Sequence, residues 1–298
     1  MFHQPGTRNL LPIKIQPLLV LLFALLLWDC QNNKPEANEK SSPSGTLFII
    51  GGGSRDSLLM EELIRVSEWR EGDWIAVVTL NTRWDSAYIS MNNEFQFYAR
   101  SSIQCIRIDS NTVKNPLTLD SMSKSKIIYL NGGDQNRLMH HIQDTDFKKI
   151  INEAYEQGAT IAGTSAGAAL MSELMITGEQ LKPHGYRGAY PVIWKDHVEV
   201  KEGLGFLDSV IVDQHFIVRS RSNRLLSVVL DHPKYDGIGI DESTAIIVKG
   251  DTATVAGEGQ VLVYWGPTSV KTAGDHLIGT NQMSLSVFLP GDKFRIRR

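Results

Sequence analysis

Gly163-Thr164-Ser165-Ala166-Gly167 sets a serine between two glycines. Ala159 to Ala162 precede it and Ala168-Ala169-Leu170-Met171 follow, so the order reads as short apolar strand, tight turn, helix. G-x-S-x-G in that setting is a nucleophile elbow. The glycines, lacking Cβ, permit a sharp strained turn, and the serine Oγ is left above the sheet edge. The Ala166 N–H, near the helix start, then points toward the place where an oxyanion would form. The pentapeptide by itself also suits an ordinary glycine-rich turn, so the chemistry depends on partners elsewhere in the chain.

A serine nucleophile needs a base within hydrogen-bond reach, and the base needs an acidic group to orient it. Val210 to Phe216 reads as a strand running into a polar loop, with Asp213, Gln214 and His215 at its end. That places His215 where a base could meet Ser165. Gly237 to Ala245 reads as another strand end presenting Asp241 and Glu242, either of which could orient the imidazole. The order Ser, His, acid differs from the Ser, acid, His of α/β-hydrolases. Arg219 and Arg221 alternate, so an extended segment would aim both to one side, with Arg224 opening an apolar-periodic helix. A solvated basic face is the plain reading of these arginines. A carboxylate-reading pocket is the alternative, since guanidinium forks pair bidentately with carboxylates.

These residues must be carried by regular elements. Thr46 to Ile50 is a continuous apolar strand ending in Gly51-Gly52-Gly53, and Leu58 to Glu68 has helical periodicity. Strands follow at Trp74 to Thr79, Ser102 to Ile108 and Lys126 to Leu130, the last ending at Asn131-Gly132-Gly133. Helices are expected over Met91 to Ala99 and across most of Leu138 to Gln157, before the elbow strand. Apolar strands without polar alternation, interleaved with helices, predict an α/β fold: a parallel sheet with helices on both faces. Ligands bind beyond the carboxyl ends of such strands, where the three glycine-containing loops lie. The triple glycine lacks the dinucleotide-binding register, and no acidic residue ends the second strand. Short strands between Thr252 and Ile296 predict an antiparallel C-terminal extension of the sheet.

Composition sets the outer limits. Arg8 and Lys14 precede an apolar run from Leu18 to Trp28, and Cys30 follows. Such a run suits a signal peptide better than a spanning helix of about 20 residues. Cys30 directly after it suggests a bacterial lipoprotein, exported to the periplasm or outer surface and tethered to the membrane. The chain then divides into a signal (1–30), a polar tether (31–45) and a single α/β domain (46–298). Hydrophobic content of 42% is ordinary for a globular protein, and a formal charge of −3 gives no nucleic-acid footprint. Cys105 reads as a small buried hydrophobe. No Cys or His pair shows zinc-ligand spacing, the adjacent His140 and His141 pointing to different sides.

Four segments together resemble the cyanophycinase family of serine peptidases, a group that includes aspartyl dipeptidases. They are Asn131 to Gln135, Gly163 to Ala168, Asp213 to Phe216 with Arg219, Arg221 and Arg224, and Gly239 to Ala245. The resemblance runs from Thr46 onward and implies a flavodoxin-like fold related to class I glutamine amidotransferases. It implies Ser165 as nucleophile, His215 as base and Glu242 as the acid, with Glu179 the runner-up and Asp241 third. Gly133 and Ala166 would form the oxyanion hole. Gln135, Asp213, Gln214, Arg219, Arg221 and Arg224 would contact substrate, without metal or cofactor. The family's substrate is a polyaspartate backbone bearing arginine on its β-carboxylates, cleaved to β-aspartyl-arginine. An export signal departs from that intracellular task, and residues 180–196 match no family motif and could reshape the pocket. An aspartyl or isoaspartyl dipeptidase without polymer activity, and a non-catalytic lipoprotein binding acidic peptides, stay open as alternatives. A homodimer is compatible with all three.

Overall fold

The apolar run Thr46–Ile50 forms β1, buried along its whole length. Its alternate residues serve two layers: Phe48 and Ile50 face one side of the sheet, Leu47 and Ile49 the other. The computed structural model describes residues 45–80, 84–100, 103–182 and 190–297, with residues 1–2. Residues 3–44, which hold nearly all of the expected signal and tether with Cys30, lie outside the described residues, as does 183–189 of the segment expected to reshape the pocket. The described residues from 45 onward belong to one compact unit.

Around β1 the chain lays down α1 (Ser57–Val66), β2 (Trp74–Leu80), α2 (Trp84–Ala99), β3 (Gln104–Arg107), α3 (Pro116–Lys124) and β4 (Ser125–Gly133). α4 (Gln135–Ile142), α5 (Asp146–Glu156), β5 (Thr160–Thr164) and the four-residue α6 (Ala166–Ala169) follow. β1, β5, β4, β2 and β3 lie side by side and parallel in that order. Leu59, Met60 and Leu63 of α1, with Met91 and Phe95 of α2, cover one face. Residues of α4, α5 and α6 cover the other. Burial on both faces is why these strands lack polar alternation. The arrangement is flavodoxin-like.

Two local expectations are revised. The helical stretch 138–157 is two helices, broken where the Thr145 hydroxyl turns back to the Ile142 carbonyl and Asp146 opens the next first turn. There a carboxylate favours the helix dipole. α3 escaped the periodicity reading, although its start is marked by the Asn115 side chain capping the Leu117 N–H and by Pro116 in the first turn.

The C-terminal half builds more than an extension. β6 (Leu174–Gln180) and β7 (Val198–Glu202) pair with each other. After them come β8 (Val210–Gln214), α7 (Ser222–Asp231), β9 (Asp236–Ile240), β10 (Thr244–Lys249), β11 (Thr252–Gly257) and β12 (Val261–Trp265). β13 (Lys271–Ala273) and β14 (Leu277–Gly279) form a hairpin, before β15 (Ser284–Phe288) and β16 (Lys293–Arg295). β10, β11 and β16 add antiparallel strands to the main sheet beside β1. β12 and β15 leave it, joining β9 and β8 in a second sheet of order β15-β12-β9-β8. Glycines permit this layer: a Cβ at Gly237 would press on Val229 and Leu225 of α7, and one at Gly239 would overlap the Phe216 ring. Val210 and Val212 of β8 face the main core, while Ile211 packs under α7. Ser165 therefore ends a strand of one sheet, and His215 and Glu242 follow strands of the other.

Candidate active site

Ser165 has φ 55° and ψ −111°, a strained conformation for a residue with a side chain. The flanking glycines are required by close packing. A Cβ at Gly167 would run into the Leu130 carbonyl of β4, and one at Gly163 would meet Gly167 itself. The short helix therefore sits tight on the sheet, and Ser165 is turned out at the strand end, half-buried.

His215 also has a positive φ, 48°, directly after the buried strand β8. Its Nε2 lies 2.8 Å from Ser165 Oγ, and its Nδ1 lies 2.5 Å from Glu242 Oε1. A carboxylate at Nδ1 fixes the proton there, leaving Nε2 to accept from the serine hydroxyl. The next residue, Phe216, anchors the turn: its N–H donates to the Ile240 carbonyl and its ring lies on Gly239. Asp241, weighed as an alternative acid, accepts instead from the Ile217 and Val218 N–H groups at 3.0 and 3.1 Å. Glu179 is exposed near the end of β6, its backbone N–H held by the Thr177 hydroxyl.

Burial pushes the His215 pKa below its ordinary 6.5, with the Arg219 and Arg221 cations adding to the fall and Glu242 opposing it. A base works only when neutral, so a lowered pKa keeps it competent into mildly acidic solution. The acid limb of kcat/KM is expected below pH 6.5, and Arg219→Met should move it upward by removing a nearby cation. Rate profiles from about pH 4 to 8 check this; a limb at or above the ordinary histidine value would contradict it.

Five of the six side chains expected at the substrate are engaged inside the protein, a correction to the extended-segment reading. Residues 216–220 form a turn, which carries Arg221 back to Gln214 at the end of β8 rather than outward. Arg224 grips Asp213 with two nitrogens, and both side chains are buried. Arg221 Nη1 donates to the Gln214 carbonyl and to Gln214 Oε1, each at 2.6 Å. Gln135 donates to the Ile176 and Thr177 carbonyls, tying α4 to β6. Asp213 and Gln214 are thus partners of arginines within the scaffold. Arg219 alone keeps a half-exposed side chain (48%), its Nε 3.9 Å from Glu242 Oε1.

Gly133, expected at the oxyanion hole, is exposed at the end of β4, and at its neighbour Gly132 an added Cβ would lie 3.6 Å from Ser165 Cβ. The triple-glycine loop, placed by the sequence at the ligand-binding edge but given no role beyond a rejected cofactor motif, lies against His215 and Glu242. Its position after β1, at the same edge as the elbow, was the available signal.

Fold and site together define a serine-type peptidase. The profile of peptidase family S51 matches residues 82–256. A cyanophycinase of Trichormus variabilis is 30% identical over 287 residues, an alignment covering 90% of this chain and 93% of that protein. A cyanophycinase of Geminocystis herdmanii is 36% identical over 180 residues, covering 58% of this chain and 63% of that protein. Among solved structures, a peptidase from an acI-B1 Actinobacterium has the same fold, with TM-score 0.60 at 20% identity over 82% of this chain and 97% of that one. The chain belongs to peptidase family S51 and is a serine peptidase of cyanophycinase type.

Proposed function

We propose that this protein is an exported serine exopeptidase that cleaves aspartyl or β-aspartyl linkages through an acyl-enzyme at Ser165, releasing β-aspartyl-arginine from cyanophycin. The observation that carries the reading is the continuous chain from Ser165 Oγ through both ring nitrogens of His215 to Glu242. Ser165 attacks the scissile carbonyl and its proton passes to His215 Nε2. Glu242 holds the Nδ1 proton and stabilises the imidazolium. The Ala166 N–H and the glycine backbone at the end of β4 receive the developing oxyanion. The imidazolium then protonates the departing amine, and water, activated by the same base, releases the acyl group.

Arg219 is the arginine placed to read a substrate carboxylate, being half-exposed beside the triad. Arg221, Arg224, Asp213, Gln214 and Gln135 are held by partners within the scaffold. Arg8, Lys14 and the run Leu18 to Trp28 support export, and Cys30 supports a lipid tether.

Incubation with cyanophycin and a panel of β-aspartyl and α-aspartyl dipeptides, followed by product mass analysis, tests the substrate. The expected product is β-aspartyl-arginine. Cleavage of dipeptides with intact polymer would replace this reading by a dipeptidase. No cleavage together with no labelling by a fluorophosphonate would leave an acidic-peptide-binding protein.

A further inference from the structure

Three successive backbone carbonyls where β1 runs into the glycine loop each accept an N–H from a different segment of the triad. Ile50 O accepts from Ser165 N at 3.1 Å, Gly51 O from His215 N at 2.7 Å, and Gly52 O from Ser243 N, next to Glu242, at 2.9 Å. The three donors share a further property. Ser165, His215 and Ser243 have φ of 55°, 48° and 53°, in the left-handed region that side chains disfavour. Such residues persist only where their surroundings over-determine them, and here the surroundings include one short run of backbone. The loop side is equally constrained. Gly52 (φ 108°) has its Cα so close to the His215 ring that a Cβ would overlap the imidazole. At Gly53 (φ 74°) a Cβ would lie 2.7 Å from Glu242 Cβ and 3.0 Å from its Oε2.

We propose that the Ile50-Gly51-Gly52 carbonyls are a rail that sets the register of the three triad segments, with Gly52 the positioning residue that seats the His215 ring. The two sheets contribute different members of the triad, and β1 is the strand whose end touches all three. Sequence length cannot bring Ser165 and His215 together; a shared template can. The proposal rests on the triad reading above. A methyl at Gly52 must push the imidazole away, and a displacement of about 1 Å at a reacting group reduces rate by roughly 100-fold.

The test compares Gly52→Ala and Gly53→Ala with Gly72→Ala in the full chain. Gly72 has φ 96° and nothing within 4 Å of its added Cβ, so it controls for backbone strain alone. The readouts are the rate of fluorophosphonate labelling located by mass at Ser165, kcat and KM on a peptide the wild type cleaves, and thermal melting. Gly52→Ala is expected to lower labelling and kcat by about 100-fold with KM little changed, while Gly72→Ala labels as the wild type does. Gly53→Ala, whose methyl meets Glu242 first, serves if Gly52→Ala does not fold. It should label more slowly and move the acid limb to lower pH, because Glu242 is what holds the His215 pKa up. Wild-type labelling in folded Gly52→Ala, an unmoved rate and limb in Gly53→Ala, or an equal loss in Gly72→Ala would overturn the rail. A wild type that does not label at Ser165 would instead remove the triad reading beneath it.

Discussion

Ser165→Ala should abolish peptide turnover, by a factor on the order of 10⁴ to 10⁶, while leaving the denaturation midpoint essentially in place. The hydroxyl is turned out at the elbow and its partner is His215 Nε2; the imidazole keeps its bond to Glu242, so removal costs one hydrogen bond at the site and leaves the apolar core untouched. His215→Ala should be almost as damaging, and the double variant little worse than either, because nucleophile and base act as a unit. Glu242→Gln should keep the geometry but present an amide to Nδ1, favouring the wrong tautomer, with a loss on the order of 10⁴ in kcat. Glu179→Gln should stay near the wild type, its side chain lying exposed toward the end of β6. Steady-state kinetics on folded variants decide the matter. Near-normal activity in Ser165→Ala would remove the nucleophile assignment, and a larger loss in Glu179→Gln than in Glu242→Gln would exchange the acids.

The parts of this site that were legible in the sequence are those written locally. Glycines around Ser165 mark a turn that only glycine accommodates, and apolar pentapeptides such as Thr46–Ile50 mark strands buried on both faces. Strand ends followed by His215 and by Asp241-Glu242 could be read the same way. What escaped depends on contacts distant in sequence. Alternation of Arg219 and Arg221 suggested an extended segment, but the turn after His215 is imposed by the Asp241 carboxylate and the Phe216 ring on Gly239. The second sheet was hidden for a related reason. β12 has the same apolar character as the strands that extend the main sheet, and its pairing with β9 depends on glycines that admit a neighbouring layer. The choice between Asp241 and Glu242 likewise turned on one residue of register, which Ser243, bonded to Gly52, settles in the fold.

Arg224→Met should destabilise the protein by about 3–5 kcal/mol, read as a fall in the denaturant midpoint, because it strands a carboxylate in the interior. Asp213 and Arg224 side chains are 1% and 5% exposed, and the guanidinium meets both carboxylate oxygens. The Tyr190 ring lies 5.5 Å from the same guanidinium, completing its enclosure. Asp213→Asn should cost a comparable amount, leaving the cation without its countercharge. The double variant Asp213→Leu with Arg224→Met should recover part of the loss, since removing both charges removes their desolvation penalty along with the attraction, while Arg221, 3.7 Å from Asp213, loses its carboxylate and limits the recovery. Such non-additivity is what separates a scaffold pair from a substrate site. Were Arg224 a reader of substrate carboxylates, Arg224→Met would leave the midpoint unchanged and raise KM, and the second substitution would rescue nothing. Asp213 stands two residues before His215, on the strand that delivers it. The pair therefore bears on the base through the placement of β8 against α7, and loss of activity should follow loss of structure across the denaturant series.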